Sequence, residues 1–179
     1  SLIEKEFNKL NLINEVTRFS GLETPKNWHL WCMLSHEAVM KDAILKWYHR
    51  IAIFEDDITI SNIPNLFATL KKIENKKYDL FYFGATFINK RARMKRIDKN
   101  FFQIEREVYW ASWILYSYKI LPTILDKINQ IRHDVQKWRK TWDEILWKDI
   151  QKNYICLIGN NQLIKHRWFN KSDTDKYYK

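Results

Sequence analysis

Residues 50 to 60 read Arg50-Ile51-Ala52-Ile53-Phe54-Glu55-Asp56-Asp57-Ile58-Thr59-Ile60 (RIAIFEDDITI), a strand-forming apolar run, three adjacent carboxylates, and a second apolar run. Like charges side by side repel, and apolar flanks raise the cost of ionising them, so the pattern anticipates a cation nearby. If the extended backbone persists through the triplet, Glu55 and Asp57 project to one face and Asp56 to the other. At the carboxyl edge of a parallel sheet such a pair suits a hard divalent ion with oxygen ligands, Mg²⁺ or Mn²⁺, which would accept diphosphate oxygens. The plain alternative is a solvated acidic turn paired with the abundant Lys and Arg.

Helix-like and strand-like patterns alternate on both sides of this stretch. Upstream, residues 2 to 13 (LIEKEFNKLNLI) predict a short amphipathic helix, and Leu30, Met33, Met40, Ile44 and Trp47 recur at helical spacing through a longer one. Downstream, Asn62 with Pro64 signals a helix start before Leu66, Phe67, Leu70 and Ile73, and Tyr78 to Phe83 (YDLFYF) reads as a buried strand ending at Gly84. Residues 107 to 117 (EVYWASWILYS) have strand composition, Pro122 opens a helix running through Ile131, and Tyr154 to Ile158 is the last strand candidate. Trp138, Trp142 and Ile145 predict a further helical stripe facing the core. This alternation predicts an α/β fold, a sandwich of helices around a mostly parallel central sheet.

Composition narrows the class. A chain of 179 residues with 46% hydrophobic residues fits one domain that buries a core, and three Gly and three Pro argue against a loop-rich or repeat architecture. The formal charge of +10 points to polyanionic partners without choosing among nucleotides, nucleic acid and an anionic membrane face. Six Lys or Arg between Lys90 and Lys99 mark residues 86 to 106 as an exposed basic hairpin or loop. Cys32 and Cys156 lie far apart in sequence, which makes a reducing compartment the default. No apolar run approaches the ~18 residues of a membrane span.

Four segments together, WCMLSHEAVMKDAIL, RIAIFEDDITI, YDLFYFG and VYWASWILYSYKILPTIL, resemble glycosyltransferase family 25, the lipooligosaccharide and procollagen galactosyltransferases. There a Cys-x-x-Ser-His helix precedes a hydrophobic strand ending in Glu-Asp-Asp, and an Asp-Leu-x-Tyr-x-Gly strand follows. Cys32, Ser35, His36, Glu55, Asp56, Asp57, Asp79, Leu80, Tyr82 and Gly84 match that order. RFSGLE, and the closing NQLIKHRWFNKSD with Ser172 and Asp173, extend the similarity from about residue 18 to residue 173. The family's usual opening strand, which helps hold the nucleotide, precedes the point where this chain starts, so the expectation is either that the chain is a fragment or that its nucleotide pocket is incomplete. Trp28, Trp31, Ala111 and Trp113 stand where the family usually has glycines, which predicts a narrower pocket.

The resemblance implies a GT-A-like, Rossmann-like fold and transfer of a hexose, galactose from UDP-galactose, to a hydroxyl of a glycan or protein with inversion. It further implies Mn²⁺ or Mg²⁺ on Glu55 and Asp57, donor contacts from Ser35, His36, Asp56, Gly84 and Trp110, and a catalytic base at Asp143 or its neighbour Glu144. Exposed acids stabilising a helix start are the plainer reading of Asp143 and Glu144. A glycan-binding module without turnover and a nucleic-acid-binding domain are the other two readings; the basic run could also meet a membrane surface. His29, Cys32 and His36 share one helical face at zinc-like spacing, but no fourth ligand is evident and a buried Cys ordinarily serves as a small apolar residue. Trp110 and Trp168 are the indoles assigned to the surface.

Overall fold

The computed structural model describes residues 2–12, 16–21, 27–84, 87–109, 113–160 and 163–166, without the side chains of residues 2, 87–92, 107, 109, 165 and 166. Its strands are β1 (Arg50–Phe54), β2 (Ile58–Ile60), β3 (Leu80–Tyr82), β4 (Phe87–Arg96), β5 (Phe101–Tyr109), β6 (Trp113–Ser117), β7 (Cys156–Gly159) and β8 (Ile164–His166). The helices are α1 (Leu2–Lys9), α2 (Trp28–Leu45), α3 (Ile63–Ile73), α4 (Leu121–Gln136) and α5 (Trp142–Ile145), the last running into a π-helical turn at Leu146–Ile150.

Six strands form one sheet in the order β1-β6-β3-β7-β5-β4, and β2 pairs with β8 in a separate ribbon. The sheet corrects the expectation of a mostly parallel, GT-A-like sandwich: β3 with β7 is the parallel pair, and β1–β6, β3–β6, β5–β7 and β4–β5 are all antiparallel. The reason lies in the connections. Parallel neighbours need a long crossover, whereas β4 turns directly into β5 across residues 97 to 100, so that pair must be antiparallel. β6 then inserts between β1 and β3 and runs against both.

Strand alternation sorts the core into two layers. Leu80, Tyr82, Ile114, Tyr116, Cys156 and Ile158 face α2, α4 and α5, whereas Phe81, Phe83, Trp113, Leu157 and Phe101 face α1, α3 and the β2–β8 ribbon. Fully burying each aliphatic or aromatic side chain of this kind contributes about 1.5–3 kcal/mol. Asp79, matched above to the family strand, fixes register here: its carboxylate accepts from Ile155 N–H at 2.9 Å and its carbonyl from Ser117 N–H at 2.9 Å.

Local signals set the helices. Asn62 caps α3 by accepting from Asn65 N–H at 3.0 Å, with Pro64 in the first turn. Asn27 caps α2 through Leu30 N–H and donates its amide to the Val135 and Gln136 carbonyls, tying the start of α2 to the end of α4. Glu37 clamps the same two helices, accepting from Arg132 at 2.7 Å and pairing with Lys41 at 2.7 Å.

The Trp138/Trp142 stripe is corrected as well. Trp142 is buried, but Trp138 lies beyond the end of α4 with φ 59° and is 53% exposed. Trp47 takes the same left-handed place after α2, with φ 56°, and there Tyr48 N–H bonds back to Ala43 O. Glycine is the usual occupant of that position, so both indoles are held outward at a conformational cost. Among the described residues no helix is long and apolar enough to cross a membrane.

Candidate functional site

β1, β3 and β7 run in one direction, so their carboxyl ends share a sheet edge, and β1 delivers the acidic triplet there. The triplet is a turn between β1 and β2 and not a continued strand. Asp56 is exposed, whereas Glu55 and Asp57 are half-buried and both act electrostatically on the Cys32 thiol.

Helix α2 brings Cys32 and His36, one turn apart, over the end of β1. Cys32 Sγ donates to Glu55 Oε1 at 3.6 Å, and His36 Nε2 lies 3.4 Å from that same oxygen. Together the three side chains present ligand atoms all within 4.8 Å of one another. His36 is buried, its ring tilted on Trp142 at 5.2 Å between centroids, and its Nδ1 has no hydrogen-bond partner among the described residues. Burial pushes the Cys32 thiol well above its ordinary range, and the charges of Glu55, Asp143 and Asp57 push it further. Cys32 therefore stays protonated at neutral pH and donates. Both cysteines are free, and burial, with a smaller push from Asp79, likewise raises Cys156.

Asp143 arrives from α5, close to ninety residues further along the chain, and its charge reaches Cys32, Tyr82 and Tyr116. Tyr116 is fully buried and its hydroxyl has no hydrogen-bond partner among the described residues. Burial, then the charges of Asp143, Glu55 and Cys32, hold that phenol well above its usual range. Tyr116 was invisible in the sequence, one aromatic among several in EVYWASWILYS.

The other candidates fall elsewhere. Ser35 donates to the Trp31 carbonyl of its own helix at 2.9 Å. Glu144 closes the capping box of α5 with Thr141 and pairs with Lys148. Gly84 is buried just past β3, beside Phe83, which bonds to Trp113 O and Leu163 N. Trp110, Ala111, Trp168, Ser172 and Asp173 lie outside the described residues. His29 stacks on Trp28 and edges onto Trp138 instead of joining Cys32 and His36. Burial lowers its pKa, with Glu144 opposing that shift.

The basic segment forms the β4–β5 hairpin at one end of the sheet. Arg93, Lys95, Arg96 and Lys99 are exposed on it, as are Met94 and Ile97. Charge along an outer strand also discourages edge-to-edge pairing with another sheet. Compared with known protein families and with curated proteins, the chain matches none.

Proposed function

We propose that the chain transfers a hexose, galactose from UDP-galactose, to a hydroxyl of a glycan or protein acceptor. The observation that carries this reading is that Cys32, His36 and Glu55 meet past the end of β1, where the charges of Asp57 and Asp143 also reach the Cys32 thiol. The ordered match of those residues to the glycosyltransferase family 25 pattern supports the choice of reaction.

In this reading Asp143 accepts the proton of the acceptor hydroxyl as that oxygen attacks the anomeric carbon. Glu55 and Asp57 supply carboxylate oxygens that suit Mn²⁺ or Mg²⁺, and either ion, when bound, neutralises negative charge on the departing diphosphate. The hairpin arginines and lysines suit a peripheral contact with an anionic membrane surface that carries the acceptor.

Calorimetric titration with UDP-galactose tests the reading. Binding should tighten at least about tenfold when Mn²⁺ is added, and Asp57→Ala should erase that difference. Equal affinity with and without the ion in the unsubstituted chain would sink the metal-dependent reaction. A glycan-binding role without turnover is the second reading, favoured by the outward indole of Trp47 stacked near-parallel on Tyr118 at 18°. Acceptor binding that ignores metal and yields no product would select it. A nucleic-acid partner would instead show as binding that collapses with salt and survives Asp57→Ala.

A further inference from the structure

We propose that Cys32, His36 and Glu55 form a zinc-class metal site with an open fourth position. This goes beyond sugar transfer, since a thiolate and an imidazole select a softer ion than the oxygen-only set expected for a nucleotide diphosphate; Glu55 Oε1 serves this ion and Oε2 remains for the Mn²⁺ or Mg²⁺ of the transfer reaction.

Geometry supplies the first argument. In a tetrahedral zinc site with bonds of about 2.3 Å to sulfur and about 2.0 Å to nitrogen and oxygen, sulfur and oxygen sit about 3.5 Å apart, and nitrogen and oxygen about 3.3 Å. Here Cys32 Sγ lies 3.6 Å and His36 Nε2 3.4 Å from Glu55 Oε1. Two of the three ligand separations thus already have nearly the spacing that a single ion would impose, and the third lies within 4.8 Å. Two of the ligand atoms come from one helix at four-residue spacing and the third from the residue just past the end of β1.

The second argument is independent of the ligands. Tyr116 is fully buried, lies on the sheet face that α2 covers, and has no partner for its hydroxyl among the described residues. An unmatched buried hydroxyl is costly, and a water on the fourth position of the ion is the partner it lacks.

The test uses the whole chain, stripped of metal with a chelator and titrated with Co²⁺ as the spectroscopic stand-in for Zn²⁺, with no nucleotide present. One equivalent should bring up a sulfur-to-cobalt charge-transfer band together with the intense visible absorption of a tetrahedral site. Zn²⁺ should then displace both. Cys32→Ser should abolish the sulfur band, which excludes Cys156 as its source. Glu55→Gln should keep the band and weaken the affinity at least tenfold, and it serves as the deciding variant if Cys32→Ser does not fold. Cobalt uptake without a sulfur band, a band that survives Cys32→Ser, or unchanged affinity in Glu55→Gln overturns the proposal. Because the readout needs neither sugar nor Mn²⁺, loss of the transferase reading and loss of the zinc site are separate results.

Discussion

Two buried polar corners sit on the same face of the sheet and differ in one respect. At Gln151, which is almost fully buried, the side chain donates to Val108 O at 2.8 Å and Tyr82 Oη at 3.2 Å and accepts from Val108 N–H at 3.0 Å. The protein satisfies that amide entirely from its own groups. At the Cys32 corner, Tyr116 Oη and His36 Nδ1 are buried without a hydrogen-bond partner among the described residues, and carboxylates from two elements crowd one thiol. A buried polar group matched within the chain holds the fold together, whereas one left unmatched needs something from outside. The contrast sets a structural corner beside the one proposed above as functional.

The widest separation should come from Asp143→Asn. It keeps the shape of the side chain and removes its basicity, so turnover should fall about a thousandfold, far more than any change in the melting temperature accounts for. Single-turnover rates and thermal melts read the two quantities. Turnover within threefold of the unsubstituted chain would return Asp143 to the role of a helix-start acid.

Gln151→Ala should show the opposite profile. It strips both Val108 backbone groups of their partner and opens a cavity, at a cost of about 3 kcal/mol in denaturant unfolding. Binding of UDP-galactose by the remaining folded fraction should hardly change. A loss of affinity with stability intact would break the division between the two corners.

How far each corner could be foreseen depends on the range of the interaction that makes it. Helix α3 was legible because Asn62 and Pro64 act within one turn, and β1 and β3 because their apolar runs are short and bounded by Glu55 and Gly84. Strand direction was not legible, since nothing local in Trp113–Ser117 says that it slides between β1 and β3. Residues 107 to 117 read as one strand, yet β5 ends at Tyr109 and β6 starts at Trp113. The acids and His36 could be named from the sequence, but the group that gathers around Cys32 draws on α2, β1, β6 and α5 at once, and such closure over long sequence separations leaves no periodic trace. Gln151, Glu37 and Tyr116 were missed for that reason: each is an ordinary residue until its distant partner, or the lack of one, is known.

Glu37 extends the structural side of the contrast to pH. Burial works to raise its pKa, but hydrogen bonds and charge from Lys41 and Arg132 outweigh that and leave it lowered. A carboxyl lowered on folding adds stability that is complete above its unfolded value of about 4.3 and disappears as pH falls through the folded value. Glu37→Gln should therefore cost about 1.5 kcal/mol at pH 7, with the cations half in water, and nothing once Glu37 is protonated in both states. Unfolding curves of the two proteins that stay parallel down to pH 2 would remove the clamp from the account.

The finest test compares two phenols on the same sheet face. Tyr82 Oη accepts from Gln151 Nε2 at 3.2 Å, so Tyr82→Phe should destabilise by about 1 kcal/mol, the ordinary net value of a buried hydrogen bond. Tyr116 Oη accepts and donates nothing among the described residues, so Tyr116→Phe should stabilise the metal-free chain by about 1 kcal/mol because it removes an unmatched dipole from the interior. Opposite signs from one chemical change, made on adjacent strands of equal burial, would locate the difference in the partners and not in packing. Repeating the pair with Zn²⁺ bound sharpens it further: the gain from Tyr116→Phe should shrink or reverse, since a metal-held water then gives that hydroxyl its missing bond, while the Tyr82 value stays fixed. Two losses of equal size in the metal-free protein would mean that Tyr116 is as well satisfied as Tyr82, and the case for an outside ligand at its corner would lose its independent support.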